Sequence, residues 1–96
     1  MNIGNDEFFK KVVDHYGYDH QLNKLKEELF ELGAAICHWQ DKKVSDVDLV
    51  SEIADCMILC AQIFGTKDHY NNLFEALWDS KCNRLSKRTG IPLTAE

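Results

Sequence analysis

The sequence predicts an all-α fold, and three observations support this class. Apolar side chains recur at helical steps of three and four residues between punctuating glycines. No segment shows a convincing alternation of apolar and polar residues, which is the pattern of a half-buried strand. The 96 residues suffice for one compact domain and not for two, so we assign residues 1–96 to a single all-α domain.

The first two helices follow from caps and apolar periodicity. The first is predicted from about Asn5 to Tyr16, with Asn5 as N-cap, and its apolar residues are Phe8, Phe9, Val12 and Val13. The second is predicted from about Asp19 to Trp39, because it carries a core stripe at helical steps: Leu22, Leu25, Leu29, Leu32 and Ile36. A neighbouring row on this helix is mostly polar and contains Gln21, Lys24, Glu28, Glu31, Ala35 and His38.

The third helix is predicted from Ser45 to about Phe64. Ser45 with Asp48 three residues later resembles a capping box with the shorter acid. Two adjacent apolar stripes follow, one of Val50, Ile53, Met57, Cys60 and Phe64, the other of Leu49, Ile53, Cys56, Cys60 and Ile63. Two stripes require contacts on more than one side, so we expect a central helix covered by its own chain and by a second copy.

The fourth helix is predicted from a Thr66 cap to about Arg88, ahead of Gly90 and Pro92. Its inward residues should be Leu73, Phe74, Leu77, Trp78 and Leu85. The resulting subunit is a four-helix, bundle-like domain. The chain has four cysteines without the spacing of a metal site, and we interpret them as reduced, buried thiols rather than ligands of a soft metal: Cys37, Cys56, Cys60 and Cys82.

The composition restricts the partners. A formal net charge of -5 argues against a protein that binds a nucleic-acid polymer through its backbone. The first residues carry acids where a signal peptide has bases, and no apolar run reaches the length of a membrane span. We therefore expect a cytoplasmic protein without a membrane or nucleic-acid partner, and an oligomer because so small a domain leaves much surface unburied.

Two pairs of acids carry the chemistry. Glu28 and Glu31 are three residues apart on the second helix, and so are Glu52 and Asp55 on the third. If the two helices pack antiparallel, both pairs converge, and four carboxylates repel unless they are protonated or neutralised by cations. Oxygen ligands favour Mg²⁺. A di-iron bundle is disfavoured, since no histidine follows a glutamate by three residues.

These residues match a known pattern. Glu28-x-x-Glu31, 20 intervening residues and Glu52-x-x-Asp55 resemble the ExxE...ExxD signature of the MazG-like nucleotide pyrophosphohydrolases, as do the flanking QLNKLKEELFEL and SEIADCMILC. The resemblance covers roughly residues 18–88. It implies an all-α homodimer or tetramer in which all four acids bind Mg²⁺, with Mn²⁺ as a substitute, and act in catalysis.

The reaction that the resemblance implies is hydrolysis of a nucleoside triphosphate between the α and β phosphates. The products are a nucleoside or deoxynucleoside monophosphate and pyrophosphate, which suits the housecleaning of aberrant nucleotides or control of a deoxynucleotide pool. A bound cation suits this chemistry, because it neutralises phosphate charge and acidifies a water.

Six further residues are candidate substrate contacts: Lys81, Arg84, Gln21, Lys24, Trp39 and His38. Lys81 and Arg84 share a row on the fourth helix and offer positive charge, but a solvated basic helix end explains them equally well. Gln21 and Lys24 either meet phosphate or pair with Glu28. Trp39 lies near where some relatives stack a base, although packing at an interface also explains it. His38 extends the acidic row or is a surface histidine.

Three other interpretations remain open. A phosphoribosyl-ATP pyrophosphohydrolase would share the scaffold and the acids. A helical interaction module would need no cation, its acids being solvated or paired with lysines, and a partner protein could keep the fold without catalysis. Against the module, Asp55 is followed directly by an apolar run, so we expect it to be desolvated.

Overall fold

A computed structural model of the chain describes residues 6–94, and it confirms the all-α class. Four α-helices account for most of these residues, and none of them forms a strand. The elements are α1 (Asp6–Tyr16), α2 (Tyr18–Gln40), α3 (Asp46–Cys60), a π-helical segment (Ala61–Gly65) and α4 (Asp68–Thr89). Within the described range, no helix combines the length and the apolar character needed to cross a bilayer.

The capping predictions were right at α3 and wrong at α4. The Asp48 backbone N–H donates to Ser45 Oγ at 3.2 Å, and the Ser45 N–H donates to Asp48 Oδ2 at 3.1 Å, which completes the capping box. Thr66 does not cap α4. Its hydroxyl donates instead to the Gln62 carbonyl at 2.9 Å, and Lys67 takes the cap position without a side-chain bond. The predicted Asn5 cap lies outside the described residues.

The predicted third helix changes character near its end. Its α-helical part stops at Cys60, and the chain continues through one π-helical turn rather than as α-helix to Phe64. A π turn adds a residue per turn and so shifts the following side chains around the axis. Ile63 becomes fully buried, and Gln62 is buried beside it. This turn contacts α1, α2, α3 and α4.

Helices α2 and α3 form the antiparallel hairpin that the acidic pairs require. Cys56 Sγ donates to the Glu28 carbonyl at 3.3 Å, and Gln21 Nε2 donates to Gln62 Oε1 at 2.7 Å. From the first contact to the second, the residue number falls along α2 from Glu28 to Gln21 and rises in the following segment from Cys56 to Gln62. The two segments therefore run antiparallel. The antiparallel packing expected from the short connection is confirmed.

The core sits where α1 and α2 meet the end of α3 and the π-helical segment. Its centre is Leu25, Leu59 and Ile63, and Phe9 is buried from α1. The predicted core stripe of α2 is only partly correct, because Leu29 is 52% exposed. On α3 the buried residues are Cys56 and Leu59, and Leu59 belonged to neither predicted stripe.

Helix α4 departs most from the prediction. None of its residues is buried, and the five residues expected to face inward are all exposed: Leu73, Phe74, Leu77, Trp78 and Leu85. Among the described elements it packs only against the π-helical segment. The radius of gyration is accordingly 16.1 Å, against about 12.5 Å for a compact chain of this length. The four helices are consistent with an all-α, bundle-like domain, to which α4 contributes no buried residue within the described range.

The cysteines are all free thiols, as predicted, but they are not all buried. Cys56 is buried and forms the bond to α2, whereas Cys60 and Cys82 are partly buried. Cys37 is exposed, because the part of α2 beyond Leu32 contributes no buried residue. The prediction of four core thiols was therefore wrong for Cys37.

Candidate functional site

Three of the four predicted acids meet in the hairpin. One carboxylate oxygen from each of Glu28, Glu31 and Glu52 lies within 4.8 Å of the others. Glu28 and Glu31 stand one turn apart on α2, and Glu52 faces them from α3. The antiparallel pairing of the two helices is what brings them together, as the spacing in the sequence indicated.

Two of these carboxylates have buried oxygens without partners. Glu28 is only 7% exposed, and Glu52 is half-buried. Neither Glu28 Oε2 nor Glu52 Oε2 has a hydrogen-bond donor among the described residues. An unpaired buried carboxylate oxygen is costly for a fold, since it loses its hydration and gains nothing in return. Glu31 is exposed and gives the cluster an opening to solvent.

The proximity of the acids perturbs Glu52. Burial raises the pKa of the Glu52 carboxyl above its ordinary value, and the negative charges of Glu28, Glu31 and Asp55 raise it further. Both effects disfavour the ionised form. A cation held by the cluster would oppose both of them.

One lysine offsets part of the negative charge. Lys24 Nζ lies 3.4 Å from Glu28 Oε1 and 3.6 Å from Glu27 Oε2. The bond to Glu28 is the main reason that the pKa of Lys24 is raised. The alternative that Lys24 pairs with Glu28 is thus what the structure shows. Among residues 6–94, no ion pair reaches Glu31 or Glu52, and Glu28 Oε2 has no partner.

Asp55 differs from its prediction. It is exposed rather than desolvated, although it stands one helical turn before the buried Leu59. It does not belong to the three-carboxylate cluster. Asp55 lies instead on the wall of an adjoining groove, which Glu28 also lines.

The groove runs along α2 between α1 and α3 and has a volume of about 620 Å³. Two of the predicted substrate contacts, Gln21 and Lys24, line it together with Glu28 and Asp55. Tyr16, at the end of α1, and His20 line the part farther from the acids. The groove therefore connects the carboxylates to a region with aromatic and amide side chains.

The other predicted contacts lie elsewhere. Trp39 Nε1 donates to Asp46 Oδ1 at 2.8 Å, and this bond links the end of α2 to the start of α3. The neighbouring His38 is exposed. Lys81 and Arg84 are exposed on α4, which contacts neither α2 nor α3 among the described residues. Arg84 lines a separate shallow cavity with Asn83. Within one chain these cations do not face the carboxylates.

Sequence reasoning missed several groove residues, among them Tyr16, His20 and Gln62. Gln62 follows the groove residues Leu59 and Ile58 by three and four residues, so helical steps place it on the groove side of the hairpin. A possible signal was its position as the one uncharged polar residue in the apolar stretch MILCAQIF. Nothing in the sequence pattern brings Tyr16 to His20 across the Gly17 junction.

The donor set of the cluster fits a hard divalent cation. Carboxylate oxygens are the ligands that Mg²⁺ and Mn²⁺ prefer, and the exposed side at Glu31 leaves room for water or phosphate oxygens. The two orphaned oxygens are the atoms that such an ion would satisfy. No histidine or cysteine belongs to the cluster, so its chemistry does not favour a soft metal.

A scan of the chain against models of protein families found no match, and searches among curated proteins and solved structures found none either.

Proposed function

We propose that the protein is a nucleoside triphosphate pyrophosphohydrolase that depends on Mg²⁺ or Mn²⁺ and cleaves between the α and β phosphates. The observation that carries the proposal is the cluster of Glu28, Glu31 and Glu52, in which two buried carboxylate oxygens have no partner. An interaction module gives no reason to keep such oxygens, because uncharged side chains there would be less costly. The resemblance of the two acidic pairs to the MazG-like signature supports the same reaction.

The residues of the chain have distinct tasks in this proposal. Glu28, Glu31 and Glu52 bind the cation, and Asp55 on the groove wall completes the acidic surroundings. A divalent cation at these carboxylates would supply positive charge against the phosphates and a more acidic water. Lys24 can turn from Glu28 towards a phosphate once the cation takes over its neutralising role, since it is half-exposed.

We further propose that the working form is a homo-oligomer. The apolar residues of α4 and the outer face of α3 are exposed in a single chain, among them Trp78 and Val50. Exposed apolar surface of this extent is typical of association. A second copy could also present Lys81 and Arg84, which do not reach the carboxylates within one chain.

The test measures pyrophosphate release from ribo- and deoxynucleoside triphosphates and from phosphoribosyl-ATP, with and without Mg²⁺. We expect metal-dependent release that Glu52→Gln abolishes. Glu7→Gln is the matched control, because Glu7 is an exposed glutamate in the first turn of α1, outside the cluster. Release that continues in the Glu52→Gln protein would contradict the proposed site.

Cation binding provides an independent readout. Titration calorimetry with MnCl₂ should show binding to the natural protein and to Glu7→Gln, and none to Glu52→Gln. If no cation binds and no nucleotide or phosphoribosyl-ATP is cleaved by the folded protein, the hydrolase is excluded and the interaction module replaces it.

A further inference from the structure

A chain of hydrogen bonds connects three side chains below the groove. His20 Nδ1 lies 2.8 Å from Gln21 Oε1, and Gln21 Nε2 donates to Gln62 Oε1 at 2.7 Å. Because an amide oxygen can only accept, His20 carries its proton on Nδ1 in this arrangement. Each bond therefore runs in the same direction, and the chain ends at the amide nitrogen of Gln62, which can only donate.

The Gln62 side chain that ends this chain of bonds is mostly buried but reaches the groove. Gln21 is 5% exposed and Gln62 7%, and both lie next to the apolar core around Leu25 and Ile63. Gln62 lines the groove, and no described residue accepts a hydrogen bond from its Nε2. A buried amide that keeps a free donor towards an open groove has a place for a ligand acceptor.

A flat aromatic surface stands beside this donor. The rings of Tyr16 and His20 are stacked, with centroids 5.2 Å apart and an angle of 12° between their planes. Both rings line the groove, and both residues are exposed. Stacked rings with an accessible face bind planar heterocycles without regard to sequence or base identity, so this pair would hold a base and the amide would select it.

The distance along α2 suits a nucleotide. Gln21 precedes Glu28 by two helical turns, which is a separation of about 10.5 Å along the axis. Lys24 lies between them and also lines the groove. A nucleotide can span this distance from its 5′ phosphate to the far edge of its base. Phosphates near Lys24 and Glu28 therefore place the base over Gln62.

We propose that the Gln62 amide donates to a carbonyl oxygen of the base, so that the groove selects keto bases over amino bases. This inference rests on the proposed function, because it assumes a nucleotide with its phosphates at the carboxylates. Uracil, thymine, guanine and hypoxanthine present a carbonyl oxygen at the position where cytosine and adenine carry an amino group. An amino group facing the Gln62 donor would leave two donors opposed.

The experiment compares bases that differ at this position. Titration calorimetry in Mg²⁺ measures the binding of UMP against CMP and of IMP against AMP, which needs no hydrolysis. We expect the keto member of each pair to bind about tenfold more tightly or better, since a mismatched buried donor loses its bond and stays unpaired. Gln62→Met keeps the length and the apolar contacts and should bring both ratios close to one.

The control is Asn23→Met, because Asn23 also lines the groove but is exposed, and its side chain accepts a hydrogen bond from Lys26. It should leave both ratios unchanged. Equal affinities within each pair for the natural protein overturn the inference whether or not the Gln62→Met variant folds. A keto preference that Gln62→Met retains also overturns it.

Hydrolysis is measured separately on UTP, CTP, ITP and ATP. Keto-selective binding without any pyrophosphate release supports the subsite and contradicts the proposed hydrolase. Release from all four nucleotides at equal kcat/KM, with no difference among the monophosphates, supports the hydrolase and contradicts the subsite. The two failures are thus distinguishable.

Discussion

The α2–α3 hairpin and helix α4 differ in how many side chains they bury, although both are amphipathic in sequence. The hairpin contains the buried residues Leu25, Cys56 and Leu59, and it positions three carboxylates within 4.8 Å. Helix α4 has 22 residues and buries none of them. Its large apolar side chains, such as the 59% exposed Trp78, face solvent.

The two regions differ in whether the described residues cover their apolar surface and neutralise their charge. Apolar residues drive folding only when something covers them, and within the described residues α4 is covered only near its start. The carboxylate cluster shows a different imbalance, since Lys24 pairs with one of its three acids and the buried oxygens Glu28 Oε2 and Glu52 Oε2 have no partner among the described residues. In the proposed function, a cation would neutralise the cluster in the hairpin and a second copy would cover α4.

The largest effect should come from removing the negative charge of Glu52. Glu52→Gln should lower pyrophosphate release by about a hundredfold or more, the range seen when a group that stabilises transition-state charge is lost. In cation-free buffer the same substitution should raise the thermal midpoint at neutral pH. Activity and stability would then change in opposite directions, as expected where a site is strained for function.

The sign of the stability change follows from the pKa of Glu52, which is raised in the fold. A raised carboxyl pKa contributes stability below the unfolded value of 4.5, and that contribution is lost as the pH rises through the folded value. The midpoint difference between Glu52→Gln and the natural protein should therefore be larger at pH 7 than at pH 4. Thermal scans by circular dichroism measure this difference. Mg²⁺ should raise the thermal midpoint of the natural protein but not that of Glu52→Gln. A difference that does not depend on pH would contradict this explanation.

The next largest effect separates the two regions by a single substitution. Leu59→Ala removes a buried core side chain and should lower the free energy of unfolding by about 2–5 kcal/mol, independently of protein concentration. Leu85→Ala is the matched variant on α4, where the side chain is 55% exposed. Its cost should be about 1 kcal/mol or less in dilute protein and should grow with concentration if a second copy covers α4.

Urea unfolding monitored at two protein concentrations provides this comparison. Equal costs for the two variants in dilute protein would mean that α4 is buried within one chain. That result would contradict the separation of α4 from the hairpin.

The sequence was sufficient for the hairpin because its signals are local and mutually consistent. The Ser45–Asp48 capping box starts α3, and the short connection forces antiparallel packing of the two acid-bearing helices. The convergence of Glu28, Glu31 and Glu52 then follows from helical spacing alone. These features depend on neighbouring turns of two adjacent helices, so no distant contact had to be guessed.

The predictions failed where helical counting does not fix whether a side chain is covered. Ile63 was expected in an apolar stripe and is buried in the π-helical turn. Leu59 was in neither stripe and is also buried, whereas the stripe residues Val50 and Met57 are exposed. Asp55 was expected to be desolvated because apolar residues follow it, yet sequence neighbours on a helix point in different directions. On α4, periodicity identified an apolar face but could not say whether that face is covered within the chain.

Association of α4 should respond to a charge on its apolar face. Trp78→Glu introduces a carboxylate next to Phe74, whose ring centroid is 5.7 Å from that of Trp78. If α4 lies in an interface, the dissociation constant should rise by about tenfold or more, because large aromatic residues contribute most of the binding energy. Sedimentation velocity across a concentration series measures it. Lys87→Glu changes the charge of the same helix without replacing an aromatic residue, so it should raise the dissociation constant less. If the natural protein and both variants all sediment as monomers, the interface at α4 is excluded.

The smallest effect concerns the thiols. Cys37 is exposed on α2, whereas Cys60 is partly buried where α3 meets the π-helical turn, and burial raises the pKa of the Cys60 thiol. Alkylation needs the thiolate, so at neutral pH iodoacetamide should modify Cys37 several-fold faster than Cys60, and Cys60 should react faster as the pH rises towards its raised value. Mass spectrometry of a time course measures both rates.

Cys60 also lines the cavity between the π-helical turn and α4, together with Phe64, Tyr70 and Leu73. If a second copy covers α4, the alkylation of Cys60 should therefore become slower as the protein concentration increases. The Cys37 rate, on a segment of α2 remote from α4, should stay constant, so a parallel slowing of both thiols would point to general crowding rather than to an interface at α4.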